Sequence, residues 1–272
     1  MTRSISLAWL TIAPFNPLDM IPLAREIGYD GIGLRALPAT PGDDLPPLLS
    51  DAHLRKKLRS LAAQHEIRFT DMEIIRIDEF FRIDKFLVFL DICAELSIPT
   101  VLVAGDDPDL SRLTASFACL CEQGKSRGVS PALEFMPWTS VHDAKTAHSI
   151  VHNAATDNGK IIVDTLHVAR SSTTLQDLAT IPRDHLAYVQ ICDAPAPIPS
   201  TREGLIHTAR EARLLPEQGG IELASILETL PKDLPVSIEI PNKEGHARYG
   251  KAQWAKDAYF LTQELLQKES LK

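Results

Sequence analysis

No Gly-x-Gly-x-x-Gly follows the first strand-like run of this 272-residue chain, and no Gly-x-x-x-x-Gly-Lys-Ser/Thr phosphate loop occurs. That argues against a nucleotide-binding sheet. Cysteine is scarce: Cys93, Cys119, Cys121 and Cys192 are scattered, without a Cys-x-x-Cys pair. Their spacing excludes a disulfide scaffold and reads as reduced thiols of a cytoplasmic protein. No apolar run approaches the ~20 residues that span a bilayer. Ile5 to Ala13, behind Arg3, is the one stretch resembling a targeting signal, but Pro14 and Pro17 follow at once and no small-x-small cleavage site stands out. It reads as the first strand. Basic residues are outnumbered, 28 against 36, for a net charge of −8. Such a surface disfavours nucleic acid and anionic membranes and leaves a small molecule as the expected partner.

What is present is alternation. Strand-like runs occur at Ser4–Leu10, Gly31–Leu34, Phe69–Ile74, Thr100–Ala104, Ser130–Glu134, Lys160–Val163, Leu186–Cys192 and Val236–Glu239. Helical apolar spacing separates them at Leu18–Ile27, Asp51–His65, Phe80–Leu96, Leu110–Arg127, Val141–Ala154, Leu175–Ala179 and Ile221–Leu230, and Ala252–Gln267 closes the chain. Eight strands and eight helical segments predict an α/β chain folded as a (β/α)8 TIM barrel. A doubly wound sheet shares the alternation, but the missing glycine loops count against it. Two proline-rich pieces, Pro38–Pro47 and Ala194–Pro199, fall where barrel loops would overhang an active site. Phe80 and Phe81 open a helix and read as core.

Four strand-like runs end on an oxygen side chain: Pro-Ala-Leu-Glu134, Ile-Ile-Val-Asp164, Ala-Tyr-Val-Gln190 and Val-Ser-Ile-Glu239. Singly, each is most simply a helix cap or a loop hydrogen bond. Together, on successive strands of a barrel, they point to one cation, since a buried unpaired carboxylate costs several kcal/mol. Oxygen-only ligands favour Mg2+ or Mn2+. His167 lies three residues beyond Asp164 and titrates near neutrality, as a general base requires; a loop histidine bonded to a neighbour is the alternative. Arg76, Arg210 and Arg213 are candidates to hold an anionic substrate bidentately. Glu73 is a structural partner within reach of Arg76, and Arg210 and Arg213 have the spacing of one helix face. His207 and Glu211 share helical spacing and can pair locally. Trp138 and Trp9 can wall a sugar-like ring, or serve as core or rim aromatics.

These residues also carry a resemblance. Leu-Glu134-Phe, Val-Asp164-Thr-Leu-His167, Val-Gln190-Ile-Cys-Asp193-Ala-Pro, Arg213-Leu-Leu-Pro-Glu-Gln-Gly219 and Ile-Glu239-Ile resemble the xylose isomerase-like TIM-barrel superfamily of sugar and sugar phosphate isomerases and epimerases, which includes inosose and 3-dehydroshikimate dehydratases. The resemblance implies one such domain over residues 1–272 and a divalent metal on Glu134, Asp164, Gln190 and Glu239. His167 and the Arg213 region would face a hydroxy-ketone or sugar substrate, anionic ones included. The implied reaction is proton abstraction next to a carbonyl through a metal-stabilised enediolate. In epimerases of this type Glu134 and Glu239 resemble the base and its partner acid; in dehydratases a separate base acts, and His167 is placed for that role. Gln190 stands where many isomerases carry His, which is closer to the dehydratases, and Glu217 replaces the first glycine of a Pro-Gly-x-Gly loop. Isomerisation or epimerisation is the first expectation and dehydration the second. A nuclease branch fits poorly without more histidines and a basic groove; a non-catalytic sugar-binding barrel is the alternative outside enzymes. Self-association into a homo-oligomer is compatible with the chain.

Overall fold

The computed structural model describes residues 3–39, 42 and 44–270; Thr40, Pro41 and Asp43 of the first proline-rich piece lie outside the described residues. Eight parallel strands close into a barrel in chain order: β1 Ile5–Leu7, β2 Gly31–Arg35, β3 Arg68–Ile77, β4 Thr100–Gly105, β5 Ser130–Glu134, β6 Lys160–Asp164, β7 Leu186–Ile191 and β8 Val236–Ile238. Closure comes from β1 pairing β8, with Ser6 opposite Ser237. The helices are α1 Pro17–Ile27, α2 Ala52–His65, α3 Leu87–Glu95, α4 Leu110–Lys125, α5 Ala144–Ala154, α6 Thr165–Arg170, α7 Leu175–Ala179, α8 Arg202–Glu211, α9 Leu223–Thr229, α10 Lys243–Tyr249 and α11 Lys251–Ser270. Among the described residues no helix is long and apolar enough to cross a membrane.

Period-two alternation sorts the strand residues. Ile32, Leu34, Val101, Val103, Leu133, Ile161, Val163, Val189, Val236 and Ile238 turn outward into the large core beneath the helices, whereas Leu102, Ala104, Ala132, Ile162 and Tyr188 form a second cluster inside the barrel. The inner face of β2 and of the first part of β3 is polar instead, while Ile74 of β3 joins the inner cluster. A Cβ at Gly33 would lie 2.7 Å from Asp71 Oδ1, so glycine makes room there for an inward carboxylate.

Several expectations are corrected. β1 stops at Leu7 and the chain turns through a 3-10 segment, Trp9–Thr11, because the Thr11 hydroxyl donates to the Ile238 carbonyl at 2.6 Å and accepts the Ile240 N–H at 3.0 Å. β3 runs on to Ile77 through a register shift between Met72 and Ile75, which puts Arg76 inside the strand. The helix read from Phe80 begins at Leu87; Phe80 is 73% exposed, not core, while Phe81 stacks on Phe86. The short helices α6, α8 and α10 had no periodic signal. Local caps start them: the side chains of Asp164, Thr201 and Asn242 accept the Leu166, Gly204 and Gly245 N–H groups.

Candidate metal and substrate site

The four strand-end residues lie on or just past four successive strands, β5 to β8, half of the barrel wall. Asp164 and Gln190 are register partners on β6 and β7, Gln190 and Ser237 on β7 and β8, and Glu239 lies two residues past Ser237 on the same face. All four are at most 3% exposed. Glu134, Asp164 and His167 each offer a ligand atom within 4.8 Å of the others. His167 Nε2 lies 3.5 Å from Glu134 Oε1 and 3.7 Å from Asp164 Oδ2. The helix that carries His167, α6, is N-capped by Asp164 itself, at 2.7 Å to the Leu166 N–H, so one carboxylate both orients the histidine and faces the cluster.

Arg213 is the fixed cation. Its Nη1 donates to Asp164 Oδ2 at 2.7 Å, its Nη2 lies 2.8 Å from Glu239 Oε2, and its Nε donates to the Ala209 carbonyl at 2.8 Å. Three buried carboxylates against one guanidinium leave two negative charges, which low-dielectric surroundings do not tolerate without a proton or a cation. The titration directions follow. Burial, then repulsion from Glu239 and Asp164, holds Glu134 well above the carboxylate range. Burial raises Glu239 to about 8, with Glu73 and Asp164 adding and Arg213 opposing. Burial also opposes ionisation of Asp164, but Arg213 and His167 outweigh it and keep its pKa low. Burial pulls His167 down to about 4, so its ring is neutral at pH 7.

The donor atoms of Glu134, Asp164 and His167 fit a divalent cation. Its charge equals the surplus, and Gln190 Oε1 is buried with no hydrogen-bond partner beside Asp164, an orphan acceptor of the kind a cation satisfies.

Above these carboxylates opens a cavity of about 480 Å³. Trp9, Leu102, Met136 and Trp138 wall it, with Trp138 edge-on to the His167 ring at 5.0 Å. Arg35, Arg76, Arg210 and Lys243 are also in its lining. Arg210 sits on α8 while Arg213 lies past its end, so they do not share a helix face. The expected Glu73–Arg76 pair does not form. Glu73 pairs with Arg35, its register partner on β2, and Arg76 pairs with Asp106 after β4. His207 and Glu211 do pair, at 3.4 Å, and Lys243 joins Glu211 at 2.8 Å. Ala39, Asp44 and Leu45 bring the first proline-rich piece to the cavity, but Ala194–Pro199 is not part of its lining.

Sequence reasoning missed three groups. Arg35 ends β2 and obeys the same strand-end rule, so that signal was available. Lys243 had none. Asp193 is a positioning residue: its carboxylate accepts the N–H groups of Ala194, Gly219 and Ile221 at 2.8, 2.9 and 3.0 Å, pinning the loop that follows Arg213. Glu217 in that loop keeps φ 67°, the left-handed region usually given to glycine, and Lys268 meets its carboxylate at 2.7 Å. Asp193→Ala strands three backbone donors and is expected to cost about 2–4 kcal/mol of stability. Denaturant unfolding measures it, and a loss under ~1 kcal/mol would show that the loop holds without Asp193.

The family model described as xylose isomerase-like TIM barrel matches residues 21–264. Among curated proteins, a 3-dehydroshikimate dehydratase of Pseudomonas aeruginosa is 26% identical over 163 residues, 56% of this chain and 25% of that protein. The chain thus spans about a quarter of the curated relative it matches. Three solved structures share the fold. A xylose isomerase-like TIM barrel/4-hydroxyphenylpyruvate dioxygenase fusion protein has a TM-score of 0.84 at 22% identity, over 100% of this chain and 44% of that one. IOLI protein, described with a binding zinc atom, has 0.79 at 21%, over 98% and 99%. D-psicose 3-epimerase with D-tagatose, from Clostridium cellulolyticum H10, has 0.75 at 14%, over 97% and 99%.

Proposed function

This chain belongs to the xylose isomerase-like TIM-barrel family, and from that premise we propose that it is a divalent-metal-dependent isomerase or epimerase. It removes a proton next to the carbonyl of a sugar or related hydroxy-ketone. The observation that carries this reading is the gathering of three buried carboxylates, Glu134, Asp164 and Glu239, around one guanidinium, Arg213, at the cavity floor, with the orphan Gln190 oxygen beside them. Glu134, Asp164, Gln190 and Glu239 would hold the cation, of the Mg2+ or Mn2+ class for oxygen donors. When bound, it supplies electrostatic stabilisation for the charge that develops on the substrate's carbonyl and hydroxyl oxygens.

The rest falls to the protein. Glu134 and Glu239, on β5 and past β8, are the groups that take and return the proton. Arg213 keeps Glu239 oriented from 2.8 Å. Neutral His167, against Glu134 and Trp138, binds a substrate hydroxyl, and the Trp9 and Leu102 walls limit water at the reacting carbon.

Dehydration of a cyclic hydroxy-ketone acid, 3-dehydroshikimate being the type, is the second reading. Gln190, the cationic side chains Arg35, Arg76, Arg210 and Lys243 in the cavity lining, and the dehydratase relative favour it. In that reaction His167 would take the proton next to the carbonyl and return it to the departing β-hydroxyl, which leaves as water.

The test is incubation of the metal-loaded protein in deuterated water with ketoses, inososes and 3-dehydroshikimate. Deuterium at the carbon next to the carbonyl supports the shared step, and a new double bond with loss of water selects the dehydratase. Binding with no exchange on any substrate would point to the non-catalytic sugar-binding barrel. His167→Ala separates the roles: a raised KM with turnover little changed is expected if the glutamates do the proton work. A ~10²–10⁴-fold loss of turnover would make His167 the base.

Proton linkage gives a further expectation. With Glu239 raised to about 8, the metal-free protein holds a proton there at pH 7, and a cation must displace it. Titration calorimetry in buffers of different ionisation enthalpy should show proton release at pH 7 that fades well above pH 8. Because the folded-state pKa exceeds the ordinary 4.5, this group's contribution to metal-free stability is present below about pH 4.5 and is lost as pH rises towards 8. Equal heats in all buffers at pH 7 would argue against Glu239 as a ligand.

A further inference from the structure

Helix α2 carries Arg55, Lys56, Lys57 and Arg59 and no acidic residue, on a chain whose net charge is −8. Arg55 is taken up by Glu95 at 2.7 Å, but Lys56 and Lys57 form no ion pair among the described residues. Like charges one turn apart destabilise a helix, so this concentration of cations has a cost that α2 itself does not offset. His53, Lys56 and Lys57, all exposed, border a groove of about 420 Å³ between α1 and α2, and half-buried Leu18 and Leu61 are in its lining. His53, Lys57 and Leu61 stand four residues apart and so share one face of α2.

The neighbouring unit of the barrel presents the complement. After β3 the Asp78 carboxylate accepts the Phe80 N–H at 2.9 Å and the Asp78 carbonyl accepts the Phe81 N–H at 3.1 Å, a turn that holds Phe80 outward. Phe80 is 73% exposed, with Asp78 and Glu79 directly before it, and Arg82 beyond it is taken up by Asp84. Leu49, Val88 and Leu110 are exposed as well; they stand just before α2 and in the first turns of α3 and α4. Helices of a barrel start at the carboxyl ends of its strands, the cavity end, so these four side chains belong to one stretch of that rim. Apolar exposure concentrated in this way marks an interaction surface.

We propose that this chain pairs with a second copy of itself, Phe80 of each entering the α1–α2 groove of the other, with Asp78 and Glu79 set against Lys56 and Lys57. An aromatic side chain preceded by two acids matches, in polarity and in charge, a groove lined by two leucines and bordered by two lysines. Leucines recessed in a groove fit a protruding side chain and not the flat face of a bilayer, and a nucleic acid would leave Phe80 and the leucines unused. Knob and groove belong to units on either side of β3, so one twofold axis can seat both contacts at once, as an isologous interface requires. Two such contacts, with Leu49, Val88 and Leu110 on the same rim, supply an apolar centre, and the charges supply a polar border.

The experiment is analytical ultracentrifugation of the full, tag-free chain over a range of concentrations. The expected result is a dimer that raised salt loosens, because exposed charge pairs are screened. Phe80→Ser, at an exposed position, should weaken dimerisation by ~10²-fold or more, since two phenylalanines lose their burial. Lys57→Glu and Glu79→Lys should each weaken it, and the double variant, which restores opposite charges at both contacts, should recover part of the loss. Circular dichroism melts check that each variant is folded. A wild type that stays monomeric into the high micromolar range would leave the groove to an acidic segment of another protein and overturn the proposal. A dimer indifferent to Phe80→Ser, or a double variant no better than the single ones, would overturn it as well.

Discussion

Glu239→Gln is expected to lose the proposed metal-dependent stabilisation and turnover while the metal-free protein keeps its fold. Glutamine has the shape of a protonated glutamate, and Glu239, raised to about 8 by burial and its acidic neighbours, is already protonated in metal-free protein at pH 7. The substitution therefore changes little until a cation arrives. It then removes one of the charges that would hold it. Loss of groups that merely orient metal ligands costs 10–100-fold in affinity, so loss of a ligand itself should cost at least ~100-fold. A cation at a hundred times its Kd stabilises wild type by about 2.7 kcal/mol, and a hundredfold weaker site gains about 0.4 kcal/mol at the same concentration. Thermal unfolding with and without Mn2+ reads this difference directly. A variant that keeps the full Mn2+ effect would remove Glu239 from the ligand set and the proposed chemistry with it.

Arg213→Met is expected to have the larger effect on the fold. The guanidinium is 2% exposed and touches Asp164, Glu239 and the Ala209 carbonyl. Methionine fills part of the volume but leaves Asp164, Glu134 and Glu239 with no fixed countercharge. Breaking a buried ion pair from one side costs about 3–5 kcal/mol, and that loss is expected in metal-free protein at pH 7–8. The loss shrinks with falling pH as the glutamates take up protons. Divalent cation should recover part of it by replacing the missing positive charge. Chemical denaturation at pH 6 and pH 8, each with and without Mn2+, checks both expectations. A loss under ~1 kcal/mol at pH 8 would mean that the three carboxylates do not share the charge surplus inferred here.

How much of this was legible depended on whether the signal was local. A strand buried on both faces reads as a short apolar run, so Glu134, Asp164 and Glu239 stood out as carboxylates at the ends of such runs. The β/α alternation predicted the barrel for the same reason: the period of a strand and the period of a helix are written in neighbouring residues. Caps were legible in principle, yet α6 and α10 are short, α8 is mostly polar along its ten residues, and a lone Asp, Thr or Asn is common without a helix behind it.

Pairing across the barrel was not legible. Glu73 has Arg76 close by in sequence, but its partner is Arg35, 38 residues away, because β2 and β3 align those two Cα positions. Arg213 reaches Asp164 across 49 residues, and Asp193 reaches Ile221 across 28. By itself the sequence determined the class of fold, the strands and the oxygen side chains at their ends, because each depends on residues within a few positions of one another. Only the tertiary structure decided which charges meet and where the buried carboxylates lie relative to Arg213, because those follow from strand register and barrel closure, which bring together side chains far apart in the chain.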